Sequence, residues 1–327
     1  MSMEIIRPGL VSTIQDLGRF GYQASGFAPT GACDSLSMRR ANALVGNDPG
    51  EAVLEMMLLG VTAKFRTACV IALTGADMTP KINGFAVENG AAIRIAAGDM
   101  LELSGTRGGM CCYLAVSGGF DVPLDMGSRS TGMRFAVGGF KGRRLAAGDV
   151  LPLRAPVPDL PNFQCRRLIT MPVFSKHVVL RAVAGPQDYM FSDSELKAFF
   201  SRPYSVTNAT DRMGIRLEGE PIIPKNTSDI ISDGTAFGAI QVPSGGQPII
   251  LMADRQTTGG YAKIATVITA DLPRAAQMTP GSTVRFMRVT IDQAQDILAV
   301  EKMAFEEEYR LLNATYPGAP EERREAL

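Results

Sequence analysis

Asp254, Arg255, Gln256, Thr257 and Thr258 stand in unbroken succession before a glycine pair, Gly259 and Gly260, and Tyr261 and Lys263 follow at once. One short segment thus carries a carboxylate, a guanidinium, two hydroxyls, a phenol and an ammonium. Groups of these types can accept or move a proton and can stabilise charge growing on an oxygen. The apolar runs on either side, 248–253 and 262–268, have the length and composition of strands, so the pattern predicts a hairpin with residues 254–260 as its loop. A turn needs little beyond glycine and an Asn or Asp, so the polar groups here exceed what turning requires. The glycine pair can take positive φ or admit a close approach, and its N–H groups can converge on one point. Tyr261 and Lys263 share a strand face because side chains alternate with period two. Gln241, on the preceding strand, adds an amide. A solvated turn is the competing explanation. The density of hydrogen-bonding groups favours a polar pocket and names no reaction.

Several chemistries are excluded by composition. His177 is the sole histidine of the 327 residues and lies in the apolar run 173–183, where a core or edge-strand position is expected. Ser-His-Asp and Cys-His nucleophile systems, an H-E-x-x-H zinc site and multi-histidine metal centres are thereby excluded or reduced to that one residue, and no metal site is expected. Proton transfer falls to carboxylates, lysine, tyrosine or the substrate. Neither a G-x-x-x-x-G-K-[ST] nor a G-x-G-x-x-G fingerprint occurs, so a nucleotide would need another kind of cradle. The 33 basic and 33 acidic residues balance without long runs of one sign, which argues against nucleic-acid and membrane partners. Cys33, Cys69, Cys111, Cys112 and Cys165 are scattered and form no C-x-x-C pair, as expected of reduced thiols in a cytoplasmic setting. Cys111 and Cys112 are strand neighbours pointing to opposite faces. The first ten residues carry charges and a proline and do not read as a secretory signal. No apolar run approaches the roughly 18 residues of a membrane span.

The elements that must position these groups read as mainly β. Leu10 to Ile14 predicts a strand ending in a turn that sets Asp16 near Arg19, at least as a surface ion pair. Asp34 stands where an N-cap belongs, opening a helix over 35–45 that Gly46 closes, with Asn42 on its polar side. From Ala52 onward, short strands alternate with turn signals such as Asn83-Gly84, Asn89-Gly90 and Ala97-Gly98-Asp99, the spacing of a sandwich or barrel. The Ala-Gly-Asp turn recurs at 147–149 and a related Pro-Gly-Ser at 280–282, a hint of two similar β units. Proline-rich 155–162 is the linker candidate. These signals divide the chain into 1–158, 159–289 and a C-terminal segment, 290–327. Beyond the linker come a helix over 193–200, an Asp211-Arg212-Met213-Gly214 turn, a strand meander and a helix from Thr290 to about Asn313. Residues 315–327, rich in proline and charge, are expected to fray.

With these residues set out, the chain resembles the allophanate hydrolase subunit 2 family, also called the biotin-dependent carboxyltransferase family, which includes the C-type subunits of 5-oxoprolinase. The resemblance covers about residues 5–289 and rests on Asp16-Leu17-Gly18-Arg19, Gly31-Ala32-Cys33-Asp34, Ala41-Asn42, Gly46-Asn47, Leu54-Glu55, Gly185-Pro186, Asp211-Arg212-Met213-Gly214, Gln241 and Asp254 to Lys263. The family usually carries methionine where Cys33 stands and proline where Ala262 stands. The resemblance implies two cyclophilin-like β-barrel subdomains with a cleft between them. It implies a heteromeric complex with the B-type and A-type subunits of 5-oxoprolinase that uses ATP to open 5-oxo-L-proline to L-glutamate, this chain being inactive alone. Two alternatives come with it: a carboxyltransferase component moving a carboxyl group from carboxybiotin to urea or a similar amide, and a non-catalytic partner of a protein like the B-type subunit, as in a relative that antagonises a sporulation-kinase inhibitor. Urea, the biotin ureido group and the lactam are all planar amides. The expected site assigns proton chemistry or N–H recognition to Asp254 and oxyanion stabilisation to Lys263 and the backbone at Gly259-Gly260. Tyr261 is the third expected catalytic residue, and Gln241, Thr257 and Thr258 join the glycine pair in binding substrate. Asp16, Arg19, Asp34 and Asn42 would supply a wall from the first half, and Asp211 with Arg212 the floor.

Overall fold

A computed structural model describes residues 1–314, so the expectation for 315–327 lies outside the described residues. The first lobe is two sheets. One, of six strands, includes Ser2–Arg7, Thr62–Phe65 and Met100–Glu102; the other, of five, runs in the order Val11–Gln15, Val53–Met57, Gly108–Val116, Cys69–Asp77, Ala92–Ile95. Strand Gly108–Val116 explains how they stack. It reads as an unbroken apolar run because both its faces are covered. Cys112, Leu114 and Val116 join Met3, Ile5, Phe65 and Leu101 in the core between the sheets. Cys111, Tyr113 and Ala115 face the opposite way, into a second core shared with helix α1, Ser35–Leu44, and the second lobe. The five-stranded sheet is therefore a middle layer. The paired thiols point to opposite faces for the same reason.

Helix α1 starts where Asp34 accepts a hydrogen bond from the Ser37 backbone N–H at 2.9 Å and ends before Gly46, whose φ of 72° only glycine takes freely. Its Met38, Ala41 and Leu44 are buried against the middle layer. The second lobe is a closed barrel of seven strands: His177–Ala184, Lys263–Val267, Ala239–Gln241, Ile249–Leu251, Gly214–Glu218, Tyr204–Val206 and Thr283–Arg288. Parallel pairing of its first and last strands closes it. Helix α2, Asp193–Ser201, packs on the closing strand through Phe199, stacked on Phe286 with ring centroids 4.8 Å apart. The short helix α3, Leu272–Ala276, lies between the lobes, and α4, Ile291–Asn313, begins in a Thr290/Gln293 capping box. Helix α4 docks back on the first lobe through Arg40–Glu308 at 2.9 Å and buried Leu312. No helix among the described residues is long and apolar enough to cross a membrane.

Two expectations require correction. The apolar runs around 254–260 are not hairpin partners: strand Ala239–Gln241 lies between them and pairs with both, Ile240 facing Ile250 on one side and Ala265 on the other. The polar segment is long enough to contribute a strand of its own, Thr258–Tyr261, which pairs with Asp229–Gly234 as a two-stranded ribbon. Its glycines are extended rather than at positive φ. His177 is neither core nor edge. It is the exposed first residue of a strand internal to the closed barrel.

Candidate functional site

The Asp211–Gly214 turn is held by its own first residue, whose Oδ1 accepts from the N–H groups of Met213 at 2.8 Å and Gly214 at 3.1 Å. Arg212, inside that turn, extends across the lobe boundary. Its Nε and Nη2 donate to the two oxygens of Asp254 at 2.9 and 2.8 Å, a bidentate fork. Nη1 donates to Glu55 and, at 3.3 Å, to Cys33 Sγ; Nη2 also reaches the Gly31 carbonyl at 2.8 Å. Glu55 is satisfied further by the Cys33 N–H and the Tyr113 hydroxyl, each at 2.8 Å, and that hydroxyl accepts from the Asp34 N–H at 2.7 Å. Burial works to lower the Arg212 pKa, but Asp254, Cys33 and Glu55 beside it hold the guanidinium well above its ordinary value. Burial pushes the Cys33 thiol and Tyr113 phenol up, which favours their neutral forms. One cation thus joins two carboxylates from different lobes.

Above this cluster an interlobe cavity of about 420 Å³ opens. Val11, Met57, Leu58, Met110 and the loop Met133, Arg134, Phe135 line it from the first lobe, and Asp211, Met213, Asp254, Arg255 and Gln256 from the second. The walls are mostly apolar, with Arg134 and Thr30 as polar groups on the first-lobe side and the remaining polar groups on the second-lobe side, the usual make-up of a small-molecule site.

The remaining predicted residues gather elsewhere. Lys263 is buried with its Nζ 3.0 Å from Asp233, whose carboxyl that hydrogen bond holds below its ordinary value. The Lys263 N–H donates to Gln187 Oε1 at 3.2 Å, and Gln187 Nε2 reaches Asp233 at 3.3 Å. Gln187 and Asp233 border a second cavity, of about 570 Å³. Gln241, opposite Lys263 on the neighbouring strand, is buried beneath the ribbon; its Oε1 accepts from Gln256 at 3.5 Å and its Nε2 finds no partner among the described residues. A Cβ at Gly259 would collide with Gln241 Nε2, so either that buried amide or the ribbon would have to move to admit one. Thr258, Gly259, Gly260 and Tyr261 form one strand of the ribbon, and the Thr257 carbonyl accepts from Thr235 N–H.

The single convergence expected from sequence is therefore two sites. Asp254, Asp211 and Arg212 meet the first lobe, whereas Lys263, Tyr261 and the glycine pair do not line that cavity. Neither do Asp16, Arg19, Asp34 and Asn42, because each is consumed inside the protein. Asp16 makes no ion pair with Arg19; its oxygens accept from Gly18 N–H, Ser128 and Ser130 hydroxyls and Arg129 N–H. Arg19 is buried and donates to the carbonyls of Asp125 and Ser130 at 3.1 and 3.0 Å. Asn42 joins the Glu51 carbonyl at 2.7 Å to Asn47 at 3.1 Å. Asp34 caps α1 and receives Gln277 Nε2 at 2.7 Å, burial pushing its carboxyl above the ordinary value. Sequence reasoning gave no site role to Glu55, Tyr113, Gln187, Asp233 or Gln277 and did not place Arg255 on the cavity wall. For Glu55 a signal existed: a lone carboxylate in the apolar run 53–58.

Comparison with known proteins bears on both lobes. The chain is 37% identical over 305 residues to the C-type subunit of 5-oxoprolinase from Escherichia coli (strain K12), covering 93% of this chain and 97% of that one. It is 31% identical over 329 residues to urea amidolyase of Lachancea kluyveri, spanning 93% of this chain but 18% of that much longer protein. The crystal structure of the K. lactis urea amidolyase superposes with a TM-score of 0.86 at 28% identity, over 99% of this chain and 20% of that one. The model of the carboxyltransferase domain, subdomain A and B, matches residues 25–288, so the chain belongs to that family.

Proposed function

We propose that the chain is the C-type subunit of an ATP-dependent 5-oxoprolinase complex, and that the lactam of 5-oxo-L-proline sits in the interlobe cavity. The observation that carries this is Asp254, a carboxylate on the cavity wall held by a two-pronged bond from Arg212. Each carboxylate oxygen accepts more than one hydrogen bond, so Asp254 can take the lactam N–H while keeping its arginine. Near-complete coverage of a relative named as the C-type subunit of 5-oxoprolinase favours this reading. Lys263, paired with Asp233 away from the cavity, is assigned a structural part instead of the oxyanion role.

ATP is a polyanion that travels with a metal ion. The cavity offers two arginines, Arg134 and Arg255, that are not tied up by carboxylates, within mostly apolar walls, and its carboxylates Asp254 and Asp211 are already engaged by Arg212 and by backbone N–H groups. Such a lining suits a small organic acid better than a triphosphate, so this reading assigns ATP to the A-type and B-type partners. The alternative, carboxyl transfer to urea or a like amide, is favoured by the similarity to urea amidolyases. There carboxybiotin, loaded elsewhere, would supply the labile carboxyl, and Met57, Leu58 and Met110 are the residues that would hold it.

The test is ATP-dependent release of glutamate from 5-oxoproline by the A-type and B-type subunits with this chain present or omitted. Release is expected to require the chain and to fall about tenfold or more in Asp254→Asn, which trades an acceptor of charge-assisted bonds for a neutral amide. Unchanged release on omission overturns the assignment. Unchanged release in Asp254→Asn moves the site elsewhere.

A further inference from the structure

Arg255 is buried, yet it has no carboxylate partner among the described residues. Its protein contacts are two long hydrogen bonds, Nε to the Thr235 carbonyl at 3.3 Å and Nη1 to the Met252 carbonyl at 3.4 Å, and the Phe237 ring 5.6 Å from its guanidinium carbon. A guanidinium carries five N–H donors, so most of this fork is unspent. The other buried arginines differ. Arg212 is saturated by two carboxylates, and Arg19 and Arg166 each engage three or more protein acceptors and line no cavity described above. Arg255 alone among them combines burial, missing counter-charge and a place on the interlobe cavity wall. Asp254 next to it does not serve as that counter-charge: its oxygens face Arg212, and no ion pair joins it to Arg255 among the described residues.

Burying a cation without an anion is costly, and a site that tolerates this is poised to bind one. We propose that Arg255 is the anion receptor of the interlobe cavity and takes the carboxylate of a small cyclic-amide acid, whose ring lies on the methionine wall and whose N–H faces Asp254. Choice of ligand rests on the 5-oxoprolinase reading; the anion site does not. The geometry of the ligand matches the chain. In 5-oxoproline the carboxylate is borne by the carbon bonded to the ring nitrogen, so its two recognition edges are neighbours, as Asp254 and Arg255 are. A guanidinium fork matches a carboxylate in plane and spacing. Burial lowers the Arg255 pKa to about 10, which leaves it charged at neutral pH. Arg134, on the opposite wall and with its guanidinium carbon 5.6 Å from the Phe135 ring centroid, adds a second positive charge without a salt bridge among the described residues.

The experiment is a thermal-shift and calorimetric titration of the full chain, at constant ionic strength, with three probes: 5-oxo-L-proline, 2-pyrrolidinone, which is the same lactam without the carboxylate, and cyclopentanecarboxylate, an acid of the same ring size without the amide. Both acids are expected to bind about tenfold or more tightly than the neutral lactam, and Arg255→Met to erase that difference. Arg255→Lys, which keeps the charge and loses the fork, is expected to weaken the acids about tenfold and leave the lactam unchanged; it gives the answer if the methionine variant fails to fold. Equal binding of acid and neutral rings by the wild type, or an acid preference that survives in the variants, overturns the proposal. Arg255-dependent binding of cyclopentanecarboxylate without any of 5-oxoproline upholds the anion site and sinks the 5-oxoprolinase reading instead.

Discussion

Arg212→Met leaves Glu55 and Asp254 without the cation that joins them across the lobe boundary. Breaking a buried pair from one side typically costs about 3–5 kcal/mol, because the abandoned charge stays desolvated. Urea unfolding is expected to show that loss, and the triple neutral variant Arg212→Met, Glu55→Gln, Asp254→Asn to recover most of it. If the single variant matches the wild type in midpoint, the cluster is not what ties these segments together. Legibility at this scale was uneven. Asp254, Arg212 and Asp211 stood out in sequence because polar groups crowded into short turns exceed what turning needs. Asp16 and Arg19 stood out as a turn of opposite charges and Asn42 as a polar position on its helix, yet their oxygens and nitrogens close loops inside the first lobe. A single sequence does not distinguish an inward from an outward polar side chain. Gln277 offered no signal: its importance comes from reaching Met110 and Cys111, far away in the chain.

Elements defined by local chemistry were legible in sequence. The Asp34 cap, the Gly46 stop and the helix after Thr290 follow from neighbours in sequence, and the structure has them within a residue or so of the expected bounds. The hairpin was not legible, because strand partners are chosen by distant pairing. Three-residue Ala239–Gln241 intervenes between the two apolar runs, and Asp229–Gly234 captures the polar one. At Gly259 the ribbon passes close over Gln241: a methyl group there would meet the buried amide nitrogen and, at 3.2 Å, the Thr235 methyl, so ribbon or side chains must give. Gly259→Ala is therefore expected to lift the ribbon, raising hydrogen exchange in 229–234 and 258–261 while the barrel strand His177–Ala184 keeps its protection. Unaltered exchange in the ribbon would mean the glycine's bareness is incidental.

For the molecule as a whole, strand spacing and the recurring Ala-Gly-Asp turn told of two β units, but nothing in the sequence told how they meet. They meet through a common core. One cluster of buried apolar residues contains Met38, Cys111 and Tyr113 of the first lobe together with Ile240, Val284 and Phe286 of the second. Polar bridges run alongside it. The Gln277 amide oxygen accepts from the Met110 and Cys111 N–H groups at 2.8 and 3.0 Å, and its nitrogen donates to Asp34 and the Cys111 carbonyl at 2.7 and 2.9 Å. Lobes joined this way unfold together, since neither has a closed apolar surface without the other. Exchange-detected urea titration is expected to give one midpoint for strand Gly108–Val116 and strand His177–Ala184. Gln277→Leu, which orphans buried donors and a carboxylate at once, is expected to lower that shared midpoint by the equivalent of about 2–3 kcal/mol in both strands equally. Two separate midpoints in the wild type, or a Gln277→Leu shift confined to the first lobe, would show that the boundary is a contact between independent domains, and a cavity built across it would then open and close with their relative motion.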